Sequence, residues 1–168
     1  MIDEKLSMTQ EWNKVFPQSG KTDHRKVTFH NRYGITLAAD LYAPKDAAGK
    51  LPAIAVSGPF GAVKERPFGL YAQRMAEYGF LTLAFDPSFT GENGGQPRYG
   101  ASPDINIEDF CAAVDFLSVQ DNADPARIGI IGICGWGGMA ISRTGHPHQG
   151  HRSHDHVRYD PCQRQRLL

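Results

Sequence analysis

Short, continuously apolar runs alternate with stretches of helical period from Leu51 to Gly138, and this alternation is the strongest signal in the chain. Ala53-Ile54-Ala55-Val56, Leu81 to Phe85 and Ile128 to Ile133 are too short for core helices and show no polar alternation, as expected of strands covered on both faces. Between the first two, Phe68 to Tyr78 places Tyr71, Met75 and Tyr78 at i, i+4 and i+7, with Gly79 where a helix ends. Between the last two, Asn106 reads as a helix cap with Asp109 three residues on, followed by an apolar stripe of Ile107, Phe110, Cys111, Val114 and Leu117. Ahead of Leu51, Lys26 to His30 and Ile35 to Tyr42 alternate (Val27, Phe29; Leu37, Ala39, Leu41) around the turn Asn31-Arg32-Tyr33-Gly34, a hairpin pattern. The order hairpin, β, α, β, α, β predicts an α/β domain: a mostly parallel sheet with an N-terminal antiparallel hairpin at one edge and helices on both faces.

The flanks differ. Residues 1–24 read as a polar N-terminal extension, 25–141 as the domain, and 142–168 as a tail in which His146, His148, His151, His154 and His156 accompany five arginines and two aspartates. No period of 2 or 3.6 runs through this tail, and Gly145 and Pro147 interrupt the helix due after Cys134. Two readings stand: sequence foreign to the fold, as an out-of-frame end would be, or a disordered basic tail. Neutral imidazoles suit zinc, copper or nickel, so a metal-binding or interaction module is the alternative function; the H-x-H spacing matches no defined motif.

Composition narrows the partners. The chain's 168 residues suit one domain, and its 18 Lys plus Arg balance 18 Asp plus Glu, which favours neither nucleic acid nor an anionic membrane. The N-terminus has no signal-peptide pattern and no run reaches membrane-spanning length. Three widely spaced cysteines argue against a disulfide framework and for a reducing, cytoplasmic setting. No cofactor or metal is expected for the domain.

The chemistry gathers at Gly132-Ile133-Cys134-Gly135-Trp136-Gly137-Gly138, after the third apolar strand. A nucleophile elbow needs a strand, a sharp turn that holds the nucleophile in a strained backbone conformation, and a helix; small neighbours let strand and helix approach. Gly132 and Gly135 meet that need on either side of Cys134. Unpaired N–H groups at the helix start favour negative charge on the sulfur. The Gly135 N–H would face an oxyanion, joined by Phe60 or Gly61 from the loop Gly58-Pro59-Phe60-Gly61 after the first parallel strand; Pro59 has no N–H to offer. A phosphate-cradling turn is the rival reading, but the spacing is neither G-x-G-x-x-G nor G-x-x-x-x-G-K-[ST]. Asp86, Glu92 and Arg98 follow a strand's carboxyl end, where α/β sites form; they read equally as pocket residues or as solvated loop charges.

With these residues in view, Lys26 to Ala140 resembles the α/β-hydrolase superfamily, and within it the dienelactone-hydrolase-related group. The resemblance is carried by Ser57 to Glu65, Phe85 to Glu92 and the Cys134 turn. It implies an incomplete α/β-hydrolase fold and hydrolysis of ester, lactone or related acyl substrates. Cys134 is then the nucleophile, and Gly135 with Phe60 or Gly61 supplies the oxyanion hole. Trp136 and Asp86 are the candidate substrate-binding residues. Three departures accompany it. Gly58 stands where dienelactone hydrolase carries a Glu. Trp136 fills a position that is usually small, so either the turn is adjusted or the indole lines the pocket. The triad acid and His belong on later strands, which predicts a chain truncated after the elbow, inactive in turnover and prone to self-association through an exposed sheet edge.

Overall fold

The computed structural model describes residues 6–9 and 11–144, with side chains to residue 140. Five strands make one sheet: β1 (Thr22–His30), β2 (Thr36–Pro44), β3 (Leu51–Ser57), β4 (Leu81–Phe85) and β5 (Ala123–Gly132), in spatial order β1-β2-β4-β3-β5. β1 pairs antiparallel with β2 and β2 with β4, while β3 runs parallel to both β4 and β5. The described residues also form three helices: α1 (Pro67–Glu77), α2 (Pro103–Ser118) and α3 (Gly135–Thr144). The α/β sheet expected is present, with the antiparallel hairpin at one edge; the part expected to be parallel is β4-β3-β5, and the hairpin joins it through an antiparallel β2–β4 pairing. No described helix is long and apolar enough to cross a membrane.

The two faces of the sheet are covered differently. On one, Leu37, Ala39, Leu41, Ala53, Ala55, Leu81, Leu83 and Phe85 meet Phe110 and Leu117 of α2 and Trp136 of α3 in an apolar core. On the other, Tyr42, Ile54, Val56 and Ala84 pack on Phe68, Ala72 and Ala76 of α1.

Several local expectations are corrected. In α1 the buried face is Phe68, Ala72 and Ala76; Tyr71 and Tyr78 are 52% and 77% exposed. The alanines let the helix lie close to the sheet, and the large rings are left facing solvent. α2 starts at Pro103 after Ser102, a turn earlier than Asn106, because proline suits the first helical position. Asn106 still serves that end, its side-chain oxygen accepting the Ser102 N–H at 3.0 Å. Asp124-Pro125-Ala126-Arg127 makes an excursion within β5, ahead of the apolar run: Ala123 pairs with Leu51 and Ile128 with Ala53. Asp124 closes it, accepting the Ala126 N–H and pairing with Arg127.

The N-terminal segment is no loose extension. β1 already begins at Thr22, and Lys14 and Phe16 ahead of it are buried. The Lys14 ammonium lies 3.0 Å from Asp40 of β2, itself fully buried and bonded to His24 at 2.7 Å. Burial would raise Asp40, but the His24 and Lys14 contacts outweigh it and hold the carboxyl below its ordinary value. That is why β2 is buried on both faces rather than alternating. α3 continues through Thr144, three residues beyond the expected domain end at 141. The rest of the tail, including its five histidines, lies outside the described residues.

Candidate active site

Cys134 sits between β5 and α3 with φ of 60°, a left-handed conformation that a cysteine adopts only when its surroundings enforce it. They do. At Gly132, an added Cβ would stand 2.2 Å from the Trp136 carbonyl oxygen, so β5 and α3 can approach only because that position has no side chain. The Ile133 N–H is tied to the Ser57 carbonyl at 3.0 Å, and the Gly137 N–H to the Cys134 carbonyl at 3.0 Å. The result is a free, exposed thiol at a helix N-terminus.

The residues expected as oxyanion donors, Gly135 and Phe60 or Gly61, lie at the start of α3 and in the loop after β3. The Phe60 ring lies across the Gly135 α-carbon: a Cβ on Gly135 would be 2.3 Å from that ring. The loop after β3 and the start of α3 therefore touch. The N–H groups of Phe60, Gly61 and Gly135 have no acceptor among the described residues, whereas the neighbouring Ala62 N–H is used by the Pro59 carbonyl at 3.1 Å. Unpaired backbone donors of this kind are what an oxyanion site uses.

Trp136 occupies its unusual position because Gly58 makes room. A Cβ on Gly58 would lie 2.7 Å from the indole Cδ1 and 2.4 Å from the Ile133 carbonyl oxygen. The absence of a side chain at Gly58 and the presence of the indole at Trp136 are thus sterically linked. The indole is 1% exposed and stacks 5.0 Å from Phe60 at 39°. It lines a cavity of about 310 Å³ together with Phe60, Gly61, Val63, Pro87, Thr90, Gly91, Tyr99, Gly100 and Ala101. None of these side chains carries a charge.

Asp86 is not among them. Its carboxylate is fully buried, accepting the Lys64 main-chain N–H at 2.7 Å and the Lys64 ammonium at 2.9 Å. Burial pushes it up to about 6 against the pull of Lys64. The expectation that Asp86 binds substrate is therefore corrected: its oxygens are spent inside the protein. Glu92 is likewise engaged, with Lys26 at 2.7 Å and Lys64 at 2.9 Å. Burial would raise it, yet hydrogen bonds from Lys26 and Lys64 pull it down to about 2. Arg98 closes its own loop on the carbonyls of Gly91 and Asn93. Asp109, read from the sequence as a helix-cap companion of Asn106, does accept the Asn106 side-chain amide at 3.1 Å, and also binds Ser88 and Asn31 under the same loop.

Sequence reasoning missed the cavity wall at Val63, Thr90 and Tyr99 and the buried Lys64. For Tyr99 a signal existed, a lone aromatic in a Gly/Pro-rich loop; for Lys64 nothing in its neighbours marks a buried lysine. Among the described residues the histidines are His24 and His30, both on β1, at the opposite edge of the sheet from β5. No described group of three His, Cys, Asp or Glu side chains could hold a metal ion.

Residues 33–152 match the family model described as X-Pro dipeptidyl-peptidase (S15 family). The chain is 70% identical over 138 residues to the uncharacterized protein PA2218 of Pseudomonas aeruginosa, covering 82% of this chain and 37% of the relative. The crystal structure of PA2218 superposes with a TM-score of 0.80 over 82% of this chain and 43% of that one. A thiohydrolase of Aspergillus aculeatus, aneE, is 36% identical over 118 residues, 70% of this chain and 36% of its own length. A dienelactone hydrolase-like promiscuous phosphotriesterase from metagenomic libraries shares the fold: TM-score 0.59 at 24% identity, covering 76% of this chain and 56% of that one. The chain thus spans under half the length of the curated relatives it matches.

Proposed function

This chain belongs to the X-Pro dipeptidyl-peptidase (S15) family of hydrolases, and from that premise we propose that it carries the nucleophile and oxyanion hole of an acyl hydrolase acting on esters, lactones or thioesters. The observation that carries the reading is the exposed Cys134 thiol in a strained turn at the start of α3, with the unpaired N–H groups of Gly135, Phe60 and Gly61 on the two segments that meet there. A peptidase family and a thiohydrolase relative differ in leaving group but share an acyl carbonyl, and the site is built around that carbonyl.

In the first step the Cys134 sulfur attacks the carbonyl carbon. A C–S bond forms, and the C=O electron pair moves to oxygen, where the N–H groups of Gly135 and of Phe60 or Gly61 receive the charge. Collapse expels the alcohol or thiol, which leaves with the proton that the cysteine gave up. Water then cleaves the thioester and restores the thiol. The uncharged cavity beneath Trp136 and Phe60 accommodates the acyl group.

No described residue serves as the general base. Each proton-transfer role contributes typically about 10²–10⁴-fold. The described residues accordingly support a single acylation of Cys134 rather than sustained turnover. The test is p-nitrophenyl acetate with the chain and its Cys134→Ala variant: a stoichiometric burst in the first and none in the second supports the reading. Equal background release from both refutes it.

A further inference from the structure

Lys64 has no part in the chemistry above, yet among the described residues its ammonium meets the most carboxylates. Its side chain is 0% exposed, and its ammonium lies 2.9 Å from each of three carboxylates, those of Glu65, Asp86 and Glu92. Burial would strip its proton; the carboxylates outweigh burial and push its pKa up, so it is a permanent cation. Replacing a buried ion pair by apolar groups of equal size is often neutral or stabilising, so net stability is a poor reason for this arrangement. Geometry is a better one.

Lys64 ends the loop that offers the Phe60 and Gly61 N–H groups. The tip of that loop does little to hold itself: it is exposed, and between Gly58 and Lys64 the backbone bond is Ala62 N–H to the Pro59 carbonyl, while Arg66 N–H to the Val63 carbonyl ties the stretch at Lys64. Its position is set from the ends. At the first end, Gly58 is wedged against Trp136 and the Ile133 carbonyl. At the second, one carboxylate grips Lys64 twice, Asp86 Oδ1 at the main-chain N–H and Oδ2 at the ammonium. Lys64 cannot shift along the chain without breaking both bonds. The cavity wall rests on the same clamp: a Cβ on Gly91 would lie 2.1 Å from Asp86 Oδ2 and 3.2 Å from Val63 Cγ1.

We propose that Lys64 is a positioning residue for acyl transfer: its ammonium, locked among Asp86, Glu65 and Glu92, fixes the loop after β3 so that the Phe60 and Gly61 N–H groups meet the carbonyl oxygen above Cys134. This rests on the acyl-transfer reading, and the test separates the two. Acylation by p-nitrophenyl acetate needs the oxyanion donors. Alkylation by iodoacetamide, a displacement at a saturated carbon, needs only the thiol. Both rates are measured on the chain, on Lys64→Met and on Lys64→Arg. In Lys64→Met acylation falls by about 10- to 100-fold while alkylation is unchanged, since loss of an oxyanion donor typically costs about 10²–10³. If Lys64→Met does not fold, Lys64→Arg decides: it keeps the charge, but a planar guanidinium cannot aim one nitrogen at three carboxylates from this backbone position, so the same split appears at about 10-fold. An arginine variant that acylates at the parent rate, or one whose two rates fall together, overturns the positioning role. A parent chain that alkylates but does not acylate overturns the acyl-transfer reading, and this inference with it.

Discussion

The two faces of the sheet solve the same burial problem with opposite chemistry. Under α2 and α3 the contacts with the strands are mainly dispersion and area, Phe85 against Phe110 at 5.1 Å and Phe110 against Trp136 at 6.2 Å, with the buried Asp109 network confined to the start of α2. Under α1 and the N-terminal segment, small apolar side chains give way to buried ions: Lys14 with Asp40, then Lys26 and Lys64 with Glu65, Asp86 and Glu92. The apolar face tolerates changes of shape poorly but has no orientation to lose. The charged face ties segments far apart in sequence to single atoms. Thr9 N–H reaches Glu92 at 2.9 Å, so even the N-terminal segment bonds to the loop that walls the cavity. The difference teaches that area holds the sheet to its helices here, while ion pairs set the loops around Cys134.

The sharpest break is at the seam between β5 and α3. Gly132→Val would drive a side chain into the Trp136 carbonyl and should cost more than about 4 kcal/mol, seen as loss of a cooperative thermal transition. A parent-like melt would show that the close approach of strand and helix is dispensable.

Next, Phe110→Ala on the apolar face and Asp40→Ala on the charged face should each cost about 3–5 kcal/mol, the first by leaving a cavity and the second by leaving the Lys14 ammonium buried and unpaired. The double variant Lys14→Met, Asp40→Leu should recover most of the second loss, because it removes both charges and keeps the volume. Urea unfolding compares them; a double variant as unstable as Asp40→Ala would mean that the ion pair is worth more than its desolvation.

A smaller effect separates the faces by pH. The Glu92 carboxyl is held at about 2 against an ordinary 4.5, so its contribution is fully present above about pH 4.5 and is lost as pH falls through about 2. Asp86 has the opposite sign: raised to about 6, it imposes a cost as pH rises through that value. The stability gap between the parent and Glu92→Gln, on the order of 2 kcal/mol at neutral pH, should therefore close as the pH falls from 4.5 toward 2. A gap independent of pH would remove Glu92 from the network. Smallest per residue is the edge effect: β5 has one partner, β3, among the described strands, and its isoleucines are only partly covered. Self-association through that edge is expected, and a sharp monomer peak in light scattering would contradict it.

What the sequence showed follows the same division. Apolar runs announce strands whatever they pack on, so β3, β4 and the parallel order were legible, and a glycine two residues before a cysteine announced the turn. The charged face was not legible. Lys14, Asp40, Lys64 and Asp86 look in sequence like any solvated charges, and only pairing across 22 to 26 residues reveals that they are buried. For the same reason Asp86 was mistaken for a pocket residue. The stripe of α1 misled because alanines, not tyrosines, face the sheet.

The account stands on Cys134 as a nucleophile served by backbone donors, and mass spectrometry of the chain after brief exposure to p-nitrophenyl acetate tests it most directly. One acetyl group should be found per chain, on the peptide carrying Cys134, and none in Cys134→Ala. An unmodified Cys134, or an acetyl group that survives the Cys134→Ala substitution, would contradict the account.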